Sequence, residues 1–422
     1  MTTPSVPAEA DAFRIANPHA LATILEAAET RRIIATSDIF DLGGTKLWAK
    51  QQPVSAALQR KLMDRKLREP LESCLVAEDG ITAVALTQDL RALVNATSPL
   101  SPLLRPHAQR LEREAAQLPL HPVAQLLLTA AQSARPETYR HAVAAMALAG
   151  ALAAGNGGDT PEIRVAMLCG LLHDLGEMYI DPQHGEAEAD RDLDPMSYRQ
   201  LVVHPHVGSL LVRQLTNYPA VVARAVAEHH ERLDGSGYPH ALTGDAMSPL
   251  GRLLAVAEAA LNAMHWSYGH LMHASVALRA VPGEFDLGWV GQVSRAANEQ
   301  PALQAVMERA DIQARLYALD HVLKAAECNV ARLAEQARSP TLQRALALAG
   351  FLVQRLRTGW NESGLWSMQA VAAADAAEVE ALEDEIYFRL RAIRRSTLQH
   401  AGELPEGDAA LLHALCDSLD MG

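Results

Sequence analysis

The chain predicts a mainly α fold: an all-helical central domain between a small N-terminal α+β module and a C-terminal helical bundle. Alanine and leucine dominate a composition that is 49% hydrophobic and only 4% aromatic, and both favour helices. Beyond about residue 120, apolar residues recur at helical spacing between loops rich in Gly, Asp and Pro. Strand-like runs bounded by turn residues lie only before that point. At 422 residues the chain exceeds one ordinary core, so several domains are expected, at 1–120, 121–295 and 296–422.

In the N-terminal module, 32–40 and 46–50 flank Asp41-Leu-Gly-Gly-Thr and predict a hairpin. Residues 54–68 have helical spacing, and 74–77 with 81–86 around Glu78-Asp-Gly predict a second hairpin. The GGTK at 43–46 lacks the upstream glycine of a phosphate-binding loop. In the central domain, helices are predicted at 137–153, 162–172, 196–203, 219–229 and 249–264, and another starts at His204. From 296 onward, Ile312, Leu316, Leu319, Leu323, Ala326, Val330 and Leu333 trace a narrow apolar stripe. Such a stripe packs inside a bundle or forms a homodimer surface. Further helices are predicted at 340–358 and 369–396, with a break over Gly359–Gly364.

A formal charge of −13 argues against a nucleic-acid polymer as partner, since such proteins gather a basic face. Cys74, Cys169, Cys328 and Cys416 form no CxxC pair, which points to a reducing compartment and against a cysteine–zinc site. The N-terminal residues lack the basic and apolar regions of a signal peptide. The longest apolar stretch, 142–154, is too short to span a bilayer. A cytoplasmic protein without membrane insertion is expected.

Every chemical motif lies in the central domain. Glu137 and His141 share one helix face, four residues apart. His173 and Asp174 end an apolar helix, His204 opens His-Pro-His-Val-Gly, and the adjacent His229 and His230 point in divergent directions. Glu258 sits in an otherwise apolar helix, where an unpaired carboxylate is costly. Taken singly, each is more readily a satisfied core residue, with Arg252 a partner for Glu258. Together, ionisable groups on several apolar helices need a shared reason for burial, and metal ions supply one. Imidazole and carboxylate donors without thiolate favour iron or manganese over structural zinc.

HDLG at 173–176, HPHVG at 204–208 and HHERLDGSGYP at 229–239 resemble the HD-GYP family of HD-domain phosphohydrolases, bacterial enzymes that degrade cyclic di-GMP. The resemblance covers under half of the chain. It implies ligand positions at His141, His173, Asp174, His204, His229, His230 and Glu258, with Glu258 where the family usually has Asp. Glu137 matches the extra carboxylate of members with three metals, so two or three divalent ions are implied, with Asp174 bridging two of them. The implied reaction is attack on phosphorus by a hydroxide held between the ions. Asp234, Gly235, Gly237, Tyr238 and Pro239 would form a loop bordering the substrate and facing a signalling partner.

The chain departs from the family in what would hold the phosphate. Glu177 stands where the family has Lys; it repels a dianion, unless it serves as a general acid. Leu261 replaces a second Asp, and no arginine fork follows Glu258. Asp181, Glu186, Glu188, Asp190, Asp192 and Asp194 oppose a single Arg191 in the loop before His204. Ala241 falls where a glycine is common. The expected function is a metal-dependent phosphodiesterase acting on cyclic di-GMP or a related nucleotide. The alternative is an impaired signalling or scaffold protein that keeps its metals.

Overall fold

Short polar side chains and prolines set where the helices of this chain begin. The computed structural model describes residues 12–185, 195–266, 269–365, 376–399, 401 and 404–419. Its helices are α1 (Pro18–Ala27), α2 (Ala56–Leu62), α3 (Ala83–Asn95), α4 (Ser101–Leu104), α5 (Ala108–Ala115), α6 (Pro122–Ala134), α7 (Pro136–Gly155), α8 (Thr160–Leu172) and α9 (Pro195–Leu201). They continue with α10 (His204–Leu215), α11 (Ala220–Glu228), α12 (Pro249–Trp266), α13 (Leu271–Ala277), α14 (Leu287–Asn298), α15 (Arg309–Gln336), α16 (Pro340–Ser363), α17 (Ala376–Leu398) and α18 (Glu406–Asp417). The strands β1 (Ile33–Ala35), β2 (Ile39–Phe40), β3 (Lys46–Trp48) and β4 (Leu75–Ala77) are short. The mainly α reading holds. No described helix is long and apolar enough to cross a membrane.

The chain divides into two compact units. One draws on residues 1–95, 107–188 and 203–229, the other on 96–106, 189–202 and 230–422. In the first unit Asn17 caps α1 by accepting the backbone N–H of His19 and Ala20, and Pro18 takes the first helical position, where no N–H is needed. Asp159 and Glu162 open α8 with a capping box, each carboxylate taking the other's backbone N–H at 2.9 Å. The expected hairpin around Asp41 forms, with β2 antiparallel to β3. The second expected hairpin does not. Residues 75–77 pair instead with β1, Ile33 opposite Ala77. Residues 83–95 are helical because Leu86, Leu90 and Val94 repeat every fourth position and are buried, while Thr82 Oγ1 accepts Ala85 N at 3.2 Å. The helix expected over 54–68 stops at Leu62. Asp64 turns to φ 57, and Lys66 and Leu67 run on as bridges to Ile15 and Asp41.

Glycines let α7 and α8 approach closely. A Cβ at Gly170 would lie 2.5 Å from Ala145 O, and one at Gly150 would lie 2.5 Å from Met167 Cγ. This contact lays the helix that carries His141 against the helix that ends in His173.

In the second unit the apolar stripe of α15 is buried by the chain's own helices. Ile312, Leu316, Leu319, Leu323 and Ala326 pack with Val353, Trp360, Ile386 and Leu390, whereas Val330 and Leu333 pack with Leu346 and Leu412. The expected break at Gly359 is absent. α16 continues to Ser363 and ends on Gly364 at φ 71. Gly359 serves close packing, since a Cβ there would meet Ala280 O at 2.1 Å. Asp320 ties the bundle together, accepting from Arg357 Nη1 at 2.7 Å and Trp360 Nε1 at 2.9 Å. Of the helix expected at 369–396, residues 369–375 lie outside the described residues.

Glu383 of α17 is fully buried beside Arg315 at 3.0 Å. Burial raises its carboxyl to about 7; Arg315 opposes the rise, and Asp384 and Glu380 add to it. A folded value above the unfolded one means stability that is complete below the unfolded range and lost as pH rises through about 7. The thermal midpoint of the bundle is therefore expected to fall between pH 5 and pH 8, and Glu383→Gln to flatten that slope. An unchanged slope in the variant would refute the assignment.

Candidate metal centre

α7, α8, α10 and α11, all in the first unit, converge on one carboxylate. Asp174 follows the end of α8 and is buried, as are His173, His204 and His229, while His141 is partly exposed. His173 Nδ1 lies 2.7 Å from Gly170 O, and His229 Nδ1 lies 2.6 Å from Val226 O. Each imidazole thus satisfies a carbonyl in the last turn of its own helix, where carbonyls lack helical partners. A carbonyl only accepts, so Nδ1 carries the proton and Nε2 offers a lone pair. The short turn Leu175–Tyr179 then packs against α10 through glycine. A Cβ on Gly176 would lie 2.0 Å from His204 O, and Gly208 faces Gly176 N and His173 O. The glycines of HDLG and HPHVG are what bring His204 to Asp174.

The two oxygens of Asp174 serve two pairs of rings. Oδ2 lies 3.0 Å from His173 Nε2 and 3.4 Å from His141 Nε2. Oδ1 lies 3.4 Å from both His204 Nε2 and His229 Nε2. Within the pairs, the Nε2 atoms of His141 and His173 are 3.2 Å apart and those of His204 and His229 are 3.0 Å apart. Burial alone would raise the Asp174 carboxyl, but the imidazoles, His173 foremost, hold it well below the usual range.

This donor set fits metal ions. Lone pairs of His173 and His229 face neighbouring nitrogens and a carboxylate, and Asp174 Oδ1 has no hydrogen bond of good geometry. Such a cluster repels itself unless cations or protons lie within it. The donor atoms of Asp174, His204 and His229 lie within 4.8 Å of one another, as do those of His141, His173 and Asp174. Ligand bonds of about 2.0–2.2 Å to one ion place neighbouring donors roughly 3–3.5 Å apart, which matches both pairs.

Glu137 is exposed and pairs with Arg140 one turn before His141, so the structure does not bring it to the cluster. Glu177 is buried; a Cβ at Gly185 would lie 3.1 Å from its Oε2. Asp181 caps the next turn through Gln183 N at 3.0 Å, and Glu186, Glu188, Asp190, Arg191, Asp192 and Asp194 lie outside the described residues. His230 and Glu258 belong to the second unit. There, His230 is buried with its ring stacked on Tyr238, centroids 4.6 Å apart, and Glu258 is buried on α12. Arg252 is not its partner: it binds Asp245, Gly244 O and Met247 O. Leu261 is buried in the apolar face of α12.

Two residues were not singled out from the sequence. Glu231 is fully buried and accepts His240 N at 2.6 Å and Leu242 N at 2.8 Å, pinning the loop that holds Tyr238 and Pro239. Its place inside HHE was the available signal. Arg135, just before α7, donates from Nη1 to Glu177 O at 2.9 Å, while its Nε and Nη2 are buried without a hydrogen bond. Burial lowers its basicity, and Glu177 offsets that. A lone arginine before a proline gave no signal.

Over its central part the chain is similar to known proteins. Residues 100–281 match the model of a family described as HD domain. The chain carries an HD domain. Within that match, the motifs at 173–176, 204–208 and 229–239 resemble those of HD-GYP proteins. It is 35% identical over 153 residues to "Cyclic di-GMP phosphodiesterase PA4108" of Pseudomonas aeruginosa, covering 36% of each chain. It is 32% identical over 134 residues to "Cyclic di-GMP phosphodiesterase response regulator RpfG" of Xanthomonas campestris pv. campestris, covering 31% of this chain and 35% of the relative. Against "3'3'-cGAMP-specific phosphodiesterase 3" of Vibrio cholerae, identity is 30% over 88 residues, covering 21% of this chain and 18% of the relative. The chain thus spans about a third of the length of the first two relatives.

The HD domain explains the buried histidines, and two measurements test the local reading. Manganese is expected to raise the thermal midpoint, by about 2.7 kcal/mol of stability at a hundredfold excess over Kd. In His173→Ala, both that shift and the metal retained after gel filtration should disappear; a full shift in the variant would sink the assignment. Ala241 sits at φ 51, a left-handed conformation that favours glycine. Ala241→Gly is expected to stabilise the protein by roughly 0.5–1 kcal/mol, strain relief outweighing the added freedom of the unfolded chain. A lower midpoint would show that the strain is not real.

Proposed function

We propose that this protein is a metal-dependent phosphodiesterase acting on cyclic di-GMP or a related cyclic dinucleotide. The observation that supports it most is the Asp174 carboxylate set between two imidazole pairs, each pair spaced for one ion. The printed names of its relatives, cyclic di-GMP and cGAMP phosphodiesterases, point to the substrate class. Iron or manganese fits the nitrogen and oxygen donors. Ions held by Asp174 and the two imidazole pairs would supply an activated water and neutralise charge developing on the phosphate. His173 and His229 present Nε2 because their Nδ1 protons are committed to carbonyls, so neither ring needs to reorganise when an ion is bound. Asp174, held ionised, contributes one oxygen toward each pair.

The resemblance further supports ligand roles for His230 and Glu258. It also supports a substrate or partner role for the loop from Asp234 to Pro239. The segments 1–120, 121–295 and 296–422 are proposed as input, catalytic and bundle regions of a cytoplasmic signalling protein. Glu177 favours a second reading, a scaffold that keeps its metals: it is buried where the family carries Lys, and Arg135 is already engaged with its backbone.

Hydrolysis of cyclic di-GMP by anaerobically purified, manganese- or iron-loaded protein separates the two readings. Turnover is expected to fall at least about 100-fold in Asp174→Asn and His173→Ala, and KM to fall in Glu177→Gln as a buried negative charge is removed. No product from metal-replete protein would overturn the enzymatic reading for this substrate and leave the scaffold.

A further inference from the structure

The loop after His230 is closed from within at its base and held from outside at its tip, all within the second unit. At the base, Glu231 takes two backbone N–H groups, and Gly237 lies so close that a Cβ would come 2.5 Å from His230 O. At the tip, Asp234 Oδ1 accepts Ser236 N at 3.0 Å and Ser236 Oγ at 2.7 Å. Its other oxygen, Oδ2, accepts from Arg355 Nε at 2.7 Å.

Arg355 belongs to α16 in the C-terminal bundle, 121 residues from Asp234 and outside the HD-domain match. Its Nη2 donates to Pro282 O, so one guanidinium joins the loop to the segment before α14. That segment is held to the bundle a second time. Leu233 N donates to Glu284 O at 2.9 Å, and the buried Glu284 carboxylate accepts from Arg389 of α17. Arg389 also reaches Ala277 O at 3.1 Å and Glu385 at 2.6 Å. Arg232 stacks over Phe285 at 4.6 Å on the same side. α16 therefore grips the loop through a charge-assisted bond, the stronger kind, and α17 holds by another the Glu284 segment whose carbonyl takes the Leu233 N–H.

We infer that Arg355 is a positioning residue for the loop from Asp234 to Thr243, and that the C-terminal bundle sets the conformation of that loop. The consequence is a route for control. A ligand or partner that shifts α16 changes the loop without touching the HD domain, because Nε and Nη2 hold two segments with fixed geometry. Lysine, a point charge, cannot bridge both acceptors in the same way. The inference does not depend on which phosphodiester, if any, the protein cleaves.

Hydrogen–deuterium exchange on the full chain tests it. In Arg355→Met, peptides covering 233–244 are expected to exchange about tenfold faster, while peptides covering 312–326 stay as in the wild type. Arg355→Lys should be intermediate. Asp234→Asn leaves every bundle residue in place and should give the same loop effect, so it carries the test if Arg355→Met loosens the bundle. The double variant should exchange no faster than the more affected single one, because both break the same Asp234–Arg355 bond. Unchanged loop exchange in Asp234→Asn, or additive effects in the double variant, would overturn the inference.

Discussion

The first unit is organised by a buried carboxylate that four imidazoles must reach at once. Asp174 offers two oxygens, and rings from α7, α8, α10 and α11 close on them at 3.0–3.4 Å. Bringing rings that close requires their backbones to be close, which explains glycine at 170, 176 and 208. Each stands where a Cβ would press on neighbouring backbone or side chain. The apolar residues around the cluster make it dry, and dryness makes mutual repulsion of unpaired lone pairs expensive. The packing and the chemistry are thus one constraint.

The same turn that follows Asp174 receives the N-terminal segment. Tyr179 donates to the buried Glu72 at 2.8 Å, its backbone oxygen accepts Asn17 Nδ2 at 3.0 Å, and Phe13 meets its ring edge-on at 5.5 Å. Burial pushes both the Glu72 carboxyl and the Tyr179 hydroxyl upward, so the phenol stays un-ionised and donates to the carboxyl in a dry setting. Residues 12–95 therefore share a unit with the candidate metal centre. In the second unit the corresponding joint is charged: Arg355 holds Asp234 of the DGSGYP motif, and Arg389 holds the neighbouring Glu284. Each end of the chain touches a motif, one through a tyrosine hydrogen bond and the other through the Arg355–Asp234 ion pair.

Local pattern made much of this legible. The stripe from Ile312 to Leu333 announced a buried helix face, and the order of His and Asp residues announced the cluster, because helical period alone sets which side chains share a face. The second hairpin and the length of α2 were misread, since short runs of β-prone residues fit a helix as well once Leu86, Leu90 and Val94 find a core. Glu137 illustrates a different limit. Spacing placed it on the face of His141, but one turn nearer the helix start its carboxylate is exposed and finds Arg140.

The sequence by itself determined the fold class and the order of the His and Asp motifs, since these follow from period, composition and motif. Only the tertiary structure decided which nitrogen of His173 and His229 carries the proton, because that depends on carbonyls met at the ends of two helices. It also decided that Arg135 meets Glu177, 42 residues away, and that Arg355 meets Asp234, 121 residues away. Such pairings rest on long-range approach between elements. No local spacing encodes them.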